Sequence, residues 1–272
     1  NSGTLPWQLN EPFPNLFCTS AVDYFAEPKP AYYAVARAYR PHTITASFDT
    51  QAWAGREAFE ARIRLCGNAA ASGETVVEAR LCGMDGTVWA SQVWTATPVD
   101  APDLRSAGHG GSEEGPAEPA ATTSRPSRFA SSFTFAAPWS APASSTPLFL
   151  LDLAHRTADG APLATNRYLF TRDANFAALL SPPQTTLRAG IVYHDNSWRV
   201  NVHNAGSAIA LGVWLEDARP RAWDRSDWVG FDENYVHLLP GEEVAIFPGW
   251  SGVPEEDRRL QISAINAPAL EI

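Results

Sequence analysis

From Thr43 onward the sequence alternates apolar and polar residues with a period of two, in short runs separated by Gly, Pro, Asn, Asp or Ser. That period puts successive side chains on opposite faces of an extended chain, so it excludes helix for most of the molecule. In EAFEARIRLCG (57–67), Phe59, Ala61, Ile63 and Leu65 share one face while Glu60, Arg62 and Arg64 share the other. In TVVEARLCG (75–83), Val77, Ala79 and Leu81 oppose Glu78 and Arg80. With the runs at 43–49, 87–96, 129–137, 147–155 and 162–172, seven strands are expected before residue 174. Such a series points to an antiparallel β-sandwich of immunoglobulin type over 42–173. Six more runs, at 185–195, 197–206, 209–217, 232–240, 242–248 and 258–266, predict a second immunoglobulin-like sandwich over 174–272. Asp195-Asn196, Ala205-Gly206 and Pro240-Gly241 are its expected hairpin turns.

Two segments fall outside this pattern. In PKPAYYAVARAYRP (28–41), Tyr32, Val35, Ala36 and Tyr39 recur at helical spacing between Pro30 and Pro41. Pro41 leaves almost no linker, so this helix is expected to lie on the first sandwich. Residues 98–127 are nearly all Pro, Gly, Ser, Ala and acid, with Val99 and Leu104 the only large apolar residues. That composition predicts a disordered loop inside the first sandwich, because it buries too little surface to offset chain entropy.

Charge narrows the partners. The formal net charge is −10, and Lys29 is the only lysine among 20 basic residues, which are scattered. No basic patch favours nucleic acid or an anionic membrane surface, and no apolar run approaches the ~20 residues of a membrane span. The opening NSGTLPWQLN lacks a signal-peptide pattern, and the chain reads as a piece of a longer polypeptide.

Few residues suggest chemistry. Cys66 and Cys82 end successive strands in the same RLCG string; paired as a hairpin, those strands would hold the thiols at opposite ends. With Cys18 they are expected to be free. His194 and His203 flank Asp195 and are expected to form a hydrogen-bonded strand-end pair rather than a metal site. No cofactor motif, metal-ligand cluster or serine nucleophile turn occurs. Trp223 and Trp228 lie in a loop-like stretch, 217–230, where packing against a neighbour is the preferred reading and gripping a sugar chain the alternative. Asn10-Glu11-Pro12 invites an acid/base reading for Glu11, but one helix and then only strands follow, with no second barrel-borne carboxylate. Glu11 is therefore not assigned a catalytic role.

Trp7-Gln8-Leu9-Asn10-Glu11, followed by Phe13-Pro14, Asp23-Tyr24, Pro28-Lys29 and Tyr32-Tyr33, resembles the last strand and closing helix of the catalytic (β/α)8 barrel in family 2 glycoside hydrolases. The β-mannosidase and exo-glucosaminidase branch is the most similar. DENYVHLLPGEE (232–243) is similar to a string in the last domain of those proteins. The chain departs from the family pattern at Phe13 and at Glu11, where Asp is usual. The resemblance implies a mainly β chain: a barrel end at 1–41, then two immunoglobulin-like sandwiches. It implies retaining hydrolysis of a terminal β-linked sugar in the complete enzyme, with both catalytic glutamates upstream of the position matched by Trp7. Trp7, Asn10 and Glu11 would then contribute substrate-binding wall, and the partners would be a carbohydrate and the upstream barrel segment. The alternative is a non-catalytic module for carbohydrate binding or domain assembly.

Limited proteolysis is expected to cut first within 98–127, and deletion of 105–124 to move the thermal midpoint little. A loss of several degrees would contradict the loop reading.

Overall fold

The computed structural model describes residues 9, 11, 20–68, 73–97, 128–129, 131–138, 146–194, 197–220 and 226–272. The predicted loop at 98–127 lies outside them, as do Trp7, Asn10, Cys18, Trp223 and the Asp195-Asn196 turn. The helix α1 spans Pro30–Ala38. Eight strands follow: β1 His42–Ser47, β2 Ala58–Asn68, β3 Thr75–Gly83, β4 Val88–Ala96, β5 Arg128–Phe129, β6 Ser132–Pro138, β7 Leu148–Thr157 and β8 Pro162–Thr171. One antiparallel sheet holds β1, β2, β5 and β6, and a second runs β4-β3-β7-β8. Phe59, Ala61, Ile63 and Leu65 all point into the space between the sheets, as their alternation requires. Phe59 is at its centre, with its ring 4.7–6.0 Å from those of Trp53, Phe135, Phe149 and Phe170.

The remaining strands are β9 Leu187–His194, β10 Ser197–Asn204, β11 Ala210–Asp217, β12 Trp228–Phe231, β13 Val236–Leu238, β14 Glu243–Ile246, β15 Pro248–Ser251, β16 Leu260–Ala264 and β17 Ala267–Glu271. They form the sheets β14-β10-β9, β13-β11-β16-β17 and β12-β15 around a second core that includes Val200, Val213, Ile246 and Ile262.

β7 joins the two halves. Its residues Leu148 to His155 are all buried, because both faces are covered. Phe149, Leu151 and Leu153 enter the first core, while Leu148 and Leu150 meet Cys82, Met84, Ile209 and Leu211 in a third cluster between the halves. Asp152 shares that second face. Arg167 Nε donates to it at 2.8 Å, and the same guanidinium forks onto Glu242 of the other half at 2.6 and 2.9 Å. Burial alone would raise the Asp152 carboxyl, but Arg167 and Arg80 hold it below its usual value.

Several expectations need correction. β2 and β3 belong to different sheets, so the Cys66/Cys82 hairpin does not exist; Cys66 is exposed, Cys82 is buried, and both are free. Ala205-Gly206 and Pro240-Gly241 are not hairpin turns, since β10 and β11, and likewise β13 and β14, lie in different sheets. His194 pairs with Ser197 beside the turn and His203 with Arg188 near the other end of the β9–β10 hairpin, so the backbone register separates them. The expected strand 232–240 shrinks to Val236–Leu238 because Tyr235 has φ +56° and the Asn234 side chain bonds the Leu215 backbone at 2.7 and 2.8 Å. The run 242–248 ends early at Ile246, and after Phe247 the chain enters another sheet as β15. Of the expected barrel end, the described residues show α1 and an isolated bridge between Val22 and Pro28, and no barrel.

Two histidines, His155 buried and His237 partly buried, should dominate stability in weak acid. His237 is pushed down to about 4 by burial, reinforced by Arg167 and Arg37, and its Nδ1 accepts the Gly212 N–H at 3.0 Å. His155 is also pushed down to about 4, by burial and by His42, and its Nε2 lies 2.8 Å from Thr75 Oγ1. Both folded values lie below the unfolded ~6.5, so unfolding takes up protons as the pH falls. Their contribution is complete above pH ~6.5 and is lost toward pH ~4, at up to ~1.4 kcal/mol per pH unit for each. Denaturant titrations across that window should show this slope, and His237→Asn should roughly halve it. A flat profile would contradict the assignment.

Candidate functional site

Residues 20–40 pack against the second half of the chain, not against the first sandwich as Pro41 suggested. The reason lies in the helix face. Tyr32, Val35, Ala36 and Tyr39, the stripe read from spacing, are exposed, and Tyr33 is the buried residue. Tyr33 packs its ring 5.8 Å from Tyr235, which stacks in turn on Trp214 at 6.2 Å. One turn on, Arg37 pairs with Glu233 and donates to the Asn234 carbonyl at 3.0 Å. Arg40 donates to the other Glu233 oxygen at 2.6 Å. The positions i, i+4 and i+7 thus form one docking line.

Ahead of α1, a tight turn is built on Asp23. Its Oδ1 accepts the Phe25 and Glu27 N–H groups, both at 2.9 Å, which allows Ala26 to adopt φ +63°. Lys29 then flanks the helix as its N-cap, with Pro30 in the first turn where no N–H is needed.

Glu11 lies beneath this turn. It is 4% exposed, pairs with the Lys29 ammonium and accepts the Ser20 hydroxyl at 2.8 Å. Those two donors hold its carboxyl below the usual value. A general acid needs the opposite environment. The pair ties residue 11 to the start of α1.

Between the Asp23 turn and strands β11 and β12 lies a cleft of about 400 Å³. Tyr24, Tyr33, Tyr235 and Trp228 supply aromatic surface, and Glu27, Glu216, Asp217 and Asp227 supply carboxylates. Arg219 brackets two of these, reaching Asp217 at 2.6 Å and Asp227 at 2.8 Å. Trp228, placed in a loop by its charged neighbours, opens β12 and is half exposed. Burial pushes the Tyr33 hydroxyl up to about 12. Sequence reasoning missed Tyr33, Glu233 and Tyr235 as a group. The signal was Asn234-Tyr235, a polar and bulky pair interrupting an expected strand inside the already noted DENYVHLLPGEE string.

No helix among the described residues is long and apolar enough to cross a membrane, and no group of three or more potential metal ligands occurs among them.

Comparison with known proteins bears on this geometry. Residues 180–266 match the Ig_mannosidase family, described as an Ig-fold domain. Over 51 residues the chain is 45% identical to "Beta-mannosidase B" of Aspergillus niger and 43% identical to that of Aspergillus flavus. Those stretches are 19% of this chain and 6% of either relative, so the chain spans a small part of their length. Among solved structures, an exo-chitosanase of Amycolatopsis orientalis aligns with 98% of this chain and 30% of its own, at TM-score 0.62 and 15% identity. A beta-D-mannosidase from Dictyoglomus thermophilum aligns with 92% and 24%, at TM-score 0.50 and 13% identity. At such identities the structural likeness is one of fold. Together with the motifs, the matches support the resemblance: the chain is similar to the C-terminal region of family 2 glycoside hydrolases of the β-mannosidase and exo-glucosaminidase branch.

Tyr33→Ala should destabilise the docked segment by about 3 kcal/mol, and Glu233→Gln by about 1 kcal/mol because both arginines are partly solvated. Amide exchange of residues 30–38 should accelerate in both variants while that of β3 and β7 stays slow. Unchanged protection of α1 would show that the contact does not hold it.

Proposed function

We propose that this chain is the C-terminal accessory region of a retaining, β-mannosidase-like glycoside hydrolase that releases a terminal β-linked sugar. On this reading 1–41 closes the catalytic barrel, and 42–173 and 174–272 are two immunoglobulin-like modules behind it. Acid/base and nucleophile carboxylates would come from the upstream polypeptide, ~5–5.5 Å apart as a retaining mechanism needs. Trp7 would offer an aromatic face to the C–H face of the pyranose, and Asn10 would exchange hydrogen bonds with its hydroxyls. Glu11 would serve the same wall indirectly, by pinning it to Lys29.

The observation that carries the reading is the match of 180–266 to a mannosidase Ig-fold family. The docking of the barrel-like segment on that same half supports it, since Glu233 and Asn234 of the matched region receive Arg37. The accessory half thereby braces the element that would close the barrel.

The 272-residue chain alone should hydrolyse no aryl β-mannoside, β-glucosaminide or β-galactoside, whereas a polypeptide extended upstream through both glutamates should hydrolyse at least one. Turnover by the chain alone that disappears in Glu11→Gln would overturn the accessory role. Failure of the extended polypeptide on all three substrates would overturn the hydrolase reading.

A further inference from the structure

We propose that the open edge of β9 is a docking site for an extended segment of another protein, one whose residues alternate apolar and acidic. The segment adds as a fourth strand beside β14-β10-β9. This interaction surface goes beyond the hydrolase reading and does not depend on it.

An unpaired strand edge is a template for further pairing, and proteins guard theirs with short strands, proline, charge or a covering element. In the first half the edges close on one another. Asn166 and Tyr168 of β8 bond the β1 backbone at Ile44 and Ala46, at 3.0 and 3.1 Å. Gln92 of β4 donates to the Ala136 carbonyl of β6 at 2.8 Å. In the second half β12, β13, β14 and β15 have three or four residues each, and β17 carries Pro268. β9 has none of these devices. It is eight residues long, without proline, lysine or carboxylate, and it pairs with β10 residue for residue with no bulge.

Two bonds at the base of the β9–β10 hairpin fix which backbone groups face outward. The Ala205 N–H bonds the Thr186 carbonyl at 2.8 Å, and the Asn204 N–H turns the other way, to Glu242, at 2.9 Å. In an antiparallel ladder these directions alternate from residue to residue. The even-numbered residues of β9 therefore bond β10, and the N–H and C=O groups of Ala189 and Ile191 point to the open edge. Neither residue makes a backbone bond beyond the ladder among the described residues. Thr185, in the same phase, shows what this edge does where a partner is present: its N–H takes the Asn266 carbonyl at 2.9 Å.

Side chains specify the added strand. Leu187 and Ala189 reach the second core. Beyond them the same face continues with Ile191, 39% exposed, and with Tyr193, 56% exposed and 5.0 Å from the Trp198 ring. Apolar side chains of an incoming strand would cover this shelf. The opposite face holds Arg188, Val192 and, across the ladder from Val192, Arg199. Both arginines are exposed, and neither makes an ion pair among the described residues. In register with Arg188 stand His203 and then Glu243, the latter two strands away. A Cβ on Gly190, between Arg188 and Val192, would meet nothing within 4 Å, so this face is open. Carboxylates alternating with apolar residues suit both faces at once, because successive side chains of the added strand point to opposite sides.

The test is a fluorescence-anisotropy titration of the 272-residue chain into a dye-labelled octapeptide alternating valine and glutamate, beside one alternating valine and lysine. The valine–glutamate peptide should bind saturably and about fivefold or more tightly than its lysine counterpart, the difference shrinking as salt is raised. In hydrogen exchange it should slow the Ile191 amide. Ile191→Pro removes an outward N–H and no β10 bond, a change that an edge strand accommodates, and should weaken binding about tenfold or more. Arg199→Glu alters only the exposed face and should reverse the preference between the two peptides. Thermal midpoints of the variants confirm that each is folded. No saturable binding, or binding unchanged in both variants, would overturn the docking site. Equal affinity for the two peptides at low salt would overturn the acidic specificity. A concentration-dependent dimer that Ile191→Pro dissociates would give the edge to a second copy of this chain and overturn its use by another protein.

Discussion

The geometry of the molecule depends on Arg167. Its guanidinium lies between a carboxylate of the first half, Asp152, and one of the second, Glu242, and it also donates to the His237 carbonyl. The planar fork satisfies Glu242 through two parallel bonds, which a lysine could not do. Asp152 is 3% exposed and takes a second arginine, Arg80. A carboxylate so deeply buried would be costly alone, and the pair of guanidinium groups removes most of that cost. Around it, Leu148, Leu150, Ile209 and Leu211 exclude water, and the Ile209 N–H bonds the Met84 carbonyl across the junction at 2.6 Å. The two halves are thus joined by apolar packing and by charges that fit in one arrangement.

That arrangement controls what the N-terminal segment can touch. Residues Glu233 to Tyr235 lead into β13, the strand that carries His237 and whose backbone receives Arg167. With that strand held, Glu233 faces the arginines of α1 and Tyr235 faces Tyr33. The cleft exists because the Asp23 turn meets the end of β11 and the start of β12, which lie about 200 residues further along the chain. None of them encloses a cavity alone. Two buried asparagines fix β11 and the residue before it, Asn234 holding Leu215 and Asn266 holding Ile209 and Leu211, so that side chains satisfy backbone groups there.

The result is an N-terminal segment held in one position by the second half of the chain. The segment carrying α1 is clamped by ion pairs and a tilted Tyr33–Tyr235 ring contact onto the half that matches a mannosidase Ig-fold family. Glu11, the residue most suggestive of catalysis in isolation, is occupied by Lys29 and Ser20. Its chemistry is to hold a turn in place.

Alternation by itself determined that Phe59, Ala61, Ile63 and Leu65 would be inward and that the chain would be mainly β, because a two-residue period is a local property of extended backbone. Helix type at 30–38 was equally local, set by proline at its start and by spacing. Local pattern could not tell which strands share a sheet, so the Cys66/Cys82 hairpin and two of the expected turns did not form. It also chose the wrong face of α1: Tyr32, Val35 and Tyr39 carry more apolar surface, yet Tyr33, Arg37 and Arg40 meet the complementary residues. A helix buries the face for which a partner is present, and Glu233 and Tyr235 lie about 200 residues away, where a short-range pattern holds no information about contact.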